Sequence, residues 1–181
     1  MEGTLMDDIQ TLLDREQIRD CIARLARGED RRDAELIKCC YWQEAKLDFG
    51  IFTGSFAEYL AWVVPGSPAV PLTLHTLGQS LIELHADSAA VETHVTSYHR
   101  IDMGEQHRDV VIGGRYLDRL EQRGAEWRIV QRTMIYDWVS DYGQSADWSK
   151  GLMGTPFKTK HSVGAARGDF SETFFKQLNT G

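Results

Sequence analysis

The sequence predicts one α+β domain, a strongly curved antiparallel sheet wrapped by N-terminal helices into a cup. Three observations predict it. Apolar residues recur at spacings of three and four before Pro65, they alternate from Leu72 to Trp138, and the turns between the alternating runs are too short to hold crossover helices. A length of 181 residues, 42% of them hydrophobic, is that of a single domain with a sizeable core.

Taken in order, Leu5, Ile9, Leu12, Leu13, Ile18, Cys21, Ile22 and Leu25 give the first helical stripe. Asp14 with Gln17 three residues on is a capping-box pattern, so two short helices or one kinked helix are expected, closed by Gly28. After Asp30 a second helix is expected from Asp33 to about Tyr41, carrying Leu36, Ile37, Cys40 and Tyr41. Ala45 to Phe49 changes to strand-like alternation. Ser55 and Glu58 form another capping box, which opens a helix through Tyr59, Leu60, Trp62 and Val63 that Pro65 stops. Pro65 to Pro71 reads as a loop. Four strands follow, divided by turn signals at Ala86-Asp87-Ser88, near Gly104, and at Arg123-Gly124, and their short loops make them a meander. The expected division is a domain over 1–142 and a tail over 143–181. In the tail Phe170, Phe174, Phe175 and Leu178 form a short amphipathic helix that docks on the domain or on a neighbouring subunit.

Charge and composition exclude several partners. Twenty Lys and Arg stand against 27 Asp and Glu, and a net charge of -7 repels phosphate backbones and anionic lipid surfaces, so neither nucleic acid nor membrane is an expected partner. No apolar run reaches the roughly 20 residues that span a bilayer, and the charged start lacks a signal peptide's regions, so a cytoplasmic location is expected. The three cysteines, Cys21, Cys39 and Cys40, form no CxxC and read as small apolar core residues in a reducing compartment.

Some ionisable residues fall where alternation expects apolar ones. His99 shares a face with Val91, Val95 and Ile101; Arg132 shares one with Val130, Met134, Tyr136 and Trp138; Tyr116 lies with Val110, Ile112 and Leu120. Buried ionisable groups are costly unless paired, so these faces suggest a lined pocket or structural ion pairs. Asp30, at the break between helices, has capping or ion pairing as its plain role. His75, between apolar neighbours in the first long strand, reads by itself as a half-buried core histidine. His85, His94 and His107 lack ligand spacing and no HExxH occurs, so no metal is expected. Gly113-Gly114, inside a strand, marks a bulge rather than a phosphate cradle, and the GxSxG of serine hydrolases is missing.

These residues, in this order, resemble the SnoaL-like branch of the nuclear-transport-factor-2-like superfamily, which includes scytalone dehydratase, hexachlorocyclohexane dehydrochlorinase and bile-acid dehydratase. The matching segments are Asp14 to Asp20, Gly28-Glu29-Asp30, His75, Tyr98-His99-Arg100, Gly113 to Tyr116, and Trp127 to Arg132. The resemblance implies the cone-shaped, cystatin-like α+β barrel. It also implies that Asp30 orients His75 as a general base, that His99 is a second active-site histidine, and that Arg132 is a pocket arginine. Glu29 and Phe49 stand at about the positions of the tyrosines that polarise the carbonyl in scytalone dehydratase, and Leu25 where other lyases have a basic or phenolic residue.

The activity implied is a cofactor-free elimination or isomerisation of a small cyclic, aromatic, polyketide-like or steroid-like molecule. His75 would remove a carbon-bound proton, Asp30 would stabilise the imidazolium, and Arg132, His99 or Tyr116 would stabilise the developing oxyanion. Trp42, Phe49, Tyr59, Trp62, Tyr116 and Tyr136, with Trp138 beside them, are the expected substrate walls. The alternatives are a non-catalytic protein that binds a small hydrophobic ligand, and an accessory subunit resembling the small chain of ring-hydroxylating dioxygenases. A homo-oligomer, dimer or trimer, is expected.

Overall fold

The computed structural model describes residues 2–159 and 162–177. Helix α1 spans Glu2–Arg31 without a break. Asp14 does not restart it. The Asp14 carboxylate instead accepts hydrogen bonds from the indole of Trp127 at 3.0 Å and from Gln122 at 3.3 Å, so a tertiary partner takes up the side chain that would otherwise cap a helix. Ile18, Cys21, Ile22 and Leu25 form the buried stripe, whereas Leu5, Leu12 and Leu13 stay exposed.

Gly28 does not close the helix either. A Cβ there would lie 2.8 Å from Ile37 Cγ1, so the glycine serves the close approach of α2 (Ala34–Lys38). The chain turns four residues later, where Arg32 takes φ +51° and the Asp33 N–H reaches back to the Gly28 carbonyl at 2.9 Å. A left-handed conformation in a non-glycine residue costs about 1 kcal/mol or more. Asp33 caps α2, accepting from the N–H groups of Glu35 and Leu36.

The second helix ends sooner than expected, because Tyr41 opens strand β1 (Tyr41–Asp48). Strand β2 (Thr53–Ser55) and helix α3 (Phe56–Val63) follow, with the Ser55/Glu58 capping box in place. The long strands are β3 (Leu72–His85), β4 (Ser88–Asp102), β5 (His107–Arg123) and β6 (Glu126–Gln144). They form the expected antiparallel meander in a sheet of order β2-β1-β6-β5-β4-β3. One pairing departs from it: β1 runs parallel to β6, with Leu47 beside Arg132.

Register shifts in β5 against β6, at Gly113/Gly114 and Arg119/Leu120, bend the sheet and change which residues face inward. Trp127 and Ile129 are buried before the second shift, Arg132 and Met134 after it. Val130 therefore leaves the face assigned by simple alternation, and so does Trp138, which packs over Gly113. At the bulge a Cβ on Gly114 would stand 2.1 Å from the Ile135 carbonyl oxygen. Gly114→Ala is expected to cost about 2 kcal/mol and lower the melting temperature by roughly 6 °C in a thermal unfolding scan.

Cys21 and Cys40 lie in the core, but Cys39 is exposed, on the outward side of the turn after α2. Beyond β6 the chain makes a 3-10 turn (Trp148–Lys150) and helix α4 (Phe170–Gln177); Leu178 lies outside the described residues. The tail returns to the end of α1, where Arg31 Nη1 donates to the Ala165 carbonyl at 2.7 Å and Arg27 Nη1 to Ser171 Oγ at 3.3 Å. Among the described residues no helix is long and apolar enough to cross a membrane.

Candidate active site

The end of α1 and the start of β3 bring one histidine against two adjacent carboxylates. Asp30 Oδ1 lies 2.7 Å from His75 Nδ1, and the Asp30 carboxylate also accepts the His75 backbone N–H, 3.1 Å from each oxygen. An ionised carboxylate only accepts, so Nδ1 carries the proton and the lone pair of the neutral ring sits on Nε2. His75 lines a cavity of about 220 Å³, and on that side Glu29 Oε2 lies 3.9 Å from Nε2.

Glu29 is the residue that sequence reasoning missed. It stands where the resemblance places a tyrosine, yet it is buried and lines the cavity, and its Oε1 accepts a hydrogen bond from the Tyr59 hydroxyl. Its signal was adjacency: at 100° per residue, a carboxylate next to Asp30 on the last turn of a helix is bound to share part of its surroundings.

Arg132 is not a wall of this cavity. It is 1% exposed and lies beneath Tyr116, its guanidinium carbon 4.0 Å from the ring centroid, and it grips Asp118 through two 2.7 Å hydrogen bonds. Its Nη1 is 3.9 Å from Glu29. Asp118 was also missed, although alternation in β5 puts it between Tyr116 and Leu120 on the inward face. The Arg132 cation compensates Asp118 and faces Glu29 rather than the cavity.

The remaining residues divide clearly. Phe49, Tyr59, Trp62, Tyr116 and Tyr136 line the cavity as expected, together with Met134 and Ile112. Phe49 stacks on Tyr59 at 5.2 Å, and the Tyr136 hydroxyl donates to the Phe49 carbonyl at 2.8 Å. His99 lines the same cavity with its ring 6.4 Å from that of His75, and its Nδ1 is buried with no hydrogen-bond partner among the described residues. Trp42 is elsewhere: its indole donates to the Glu121 carbonyl at 3.0 Å and its ring lies between Arg123 and Arg128, so it forms no part of the cavity. Among the described residues no three His, Cys, Asp or Glu side chains cluster as a metal site.

The electrostatics follow from this geometry. Burial pulls the His75 pKa down, but the hydrogen bond to Asp30 and the charges of Glu29 and Asp30 outweigh it, leaving the ring above its ordinary value. His99 goes the other way, lowered by burial and then by the neighbouring His75. Burial and the Glu29 charge hold the Tyr59 and Tyr116 phenols well above their usual range, so both stay protonated. An NMR titration is expected to place the His75 midpoint above that of a free histidine. Glu29→Gln, which removes one of the two negative charges, should move that midpoint down, whereas a midpoint unchanged by the substitution would show that Glu29 does not act on the ring.

No curated protein matches the sequence. Among solved structures, a hexachlorocyclohexane dehydrochlorinase from Novosphingobium barchaimii superposes with a TM-score of 0.67 at 19% identity, covering 84% of this chain and 99% of that one. A candidate scytalone dehydratase from Novosphingobium aromaticivorans gives 0.65 at 16% identity, covering 82% and 96%. The Kribbella flavida protein Kfla4162 gives 0.66 at 18% identity, covering 72% and 95%. At these identities the likeness is one of fold, the nuclear-transport-factor-2-like cone. The sequence itself matches the SnoaL-like domain over residues 10–133. With more than half its length matched in sequence and its fold shared with these structures, the chain belongs to the SnoaL-like domain family.

Proposed function

We propose that the protein is a lyase or isomerase that removes a carbon-bound proton from a small cyclic substrate. The observation that carries this reading is the Asp30–His75 hydrogen bond of 2.7 Å at Nδ1, on a ring that lines the cavity. Nε2 takes the proton, and the imidazolium that forms lies between Asp30 and Glu29, two charges that favour it. A base flanked in this way is stronger than a free imidazole, which suits abstraction from a weakly acidic C–H. His99, held neutral, and the protonated Tyr116 face the same cavity and can donate to an oxyanion or a departing group. Arg132 acts one layer back, holding the Tyr116 ring and balancing Asp118.

The substrate class follows from the walls. Phe49, Trp62, Ile112, Met134 and Tyr136 are apolar or aromatic, and about 220 Å³ is below the roughly 300–1,000 Å³ of drug-sized pockets, so one or two fused rings fit. The family neighbours include a dehydrochlorinase and a candidate dehydratase, both names for eliminations. The test is solvent-deuterium incorporation into 2-tetralone, a bicyclic aromatic ketone with acidic α-protons, followed by proton NMR. Exchange faster than in buffer, rising with pH as His75 loses its proton, is the expected result. Exchange at the buffer rate rejects the general base.

A further inference from the structure

A second cavity, of about 590 Å³, lies where the end of α1 meets the tail, and its wall includes Arg27, Arg31, Arg32 and Arg167 with Asp33 and Glu172. In a chain of net charge -7, four guanidiniums around one hollow against two carboxylates call for an explanation. Neutral acceptors hold them. Arg31 donates to the Ala165 carbonyl, Arg32 to those of Pro65 and Val70, Arg167 to that of Val64, and Arg27 to the Ser171 hydroxyl. The two carboxylates are engaged with backbone N–H groups, Asp33 with those of Glu35 and Leu36 and Glu172 with that of Gly168. The guanidiniums are thus held by neutral acceptors, with Asp169 close enough for the Arg31 charge to act on it. Arg31 Nε is buried with no hydrogen-bond partner among the described residues.

Arg32 connects this hollow to the chemistry. It lines both cavities, and it is the non-glycine residue with a left-handed backbone at the turn after α1. Planar guanidiniums bind phosphate oxygens in pairs, and several of them around one space suit an anion with several oxygens better than a single carboxylate. We propose that this cavity binds the phosphorylated tail of the substrate, a diphosphate-bearing ester or thioester whose reacting end lies against His75. The placement of that reacting end rests on the general-base reading above; the anion site does not.

The experiment is calorimetric titration of the full chain with inorganic pyrophosphate and with coenzyme A, which carries phosphates at one end and a long thiol arm at the other. Both are expected to bind, coenzyme A more tightly, with affinity that falls as salt is raised. Arg31→Gln with Arg167→Gln should weaken both by about ten-fold or more. Arg167→Gln alone, an exposed side chain tied only to the Val64 carbonyl, should weaken them without releasing the tail. His75→Ala should leave both affinities unchanged, so loss of the catalytic reading would not disturb this result. Failure of both probes to bind, or affinities unmoved by the arginine substitutions, overturns the site. Binding of pyrophosphate but not coenzyme A overturns the substrate tail and assigns the hollow to a free anion.

Discussion

His75→Ala is expected to lower deuterium exchange into 2-tetralone by roughly 10³-fold while leaving the circular dichroism spectrum unchanged. The ring is the group placed to take the proton, and although its side chain is only 11% exposed it stands at the wall of an existing cavity, which its truncation enlarges. Asp30→Asn should cost a similar factor for a different reason. An amide at 2.7 Å from Nδ1 can present its NH₂ to the ring and stabilise the tautomer with the lone pair on Nδ1, which points the proton rather than the base at the substrate. The amide oxygen can still accept the His75 backbone N–H, so the junction between α1 and β3 survives. Wild-type exchange in His75→Ala would remove this histidine from the mechanism.

The largest expected effect on stability comes from Asp118. Its two 2.7 Å hydrogen bonds compensate a guanidinium that is 1% exposed, and Asp118→Asn leaves that cation buried with Glu29 at 3.9 Å as its remaining counter-charge. Breaking one side of a buried pair costs about 3–5 kcal/mol, a fall of roughly 10 °C in melting temperature for a chain of this size. Replacing both members, as Asp118→Leu with Arg132→Met, should recover part of the loss, because both charges of the pair are removed while Glu29 loses the cation 3.9 Å away. A double variant as unstable as the single one would show that the pair contributes through shape rather than charge.

The order of elements, the meander and its turns were legible because they rest on local signals: alternation, capping boxes, and turn residues at Ala86-Asp87-Ser88 and Gly124. The pairing of Asp30 with His75 came from the order of segments shared with a family, since neither residue stands out alone. What stayed hidden depends on contacts distant in sequence. Asp14 looks like a cap until Trp127 is placed beside it. The bulges opposite Gly114 and Leu120 reverse the phase of alternation, which is why Val130 and Trp138 were assigned to the wrong face. Trp42 reads as a wall because an aromatic residue carries no mark of which side it will take; two arginines, Arg123 at the end of β5 and Arg128 near the start of β6, hold it elsewhere. Arg132 and Glu29 were misjudged for a shared reason. Each is defined by a partner, Asp118 or His75, that lies on another element of the fold.

Helix α1 is pinned at both ends of its buried stretch, by Trp127 at Asp14 and by His75 at Asp30. The sixteen residue steps from one to the other span about 24 Å, and each residue added or removed there would rotate one pin by 100° relative to the other. The family's length variation is therefore expected outside that interval, in the loop from Pro65 to Pro71 and in the tail. Inside it, a single insertion would turn both carboxylates away from the ring while leaving every residue of the reactive group present in the gene.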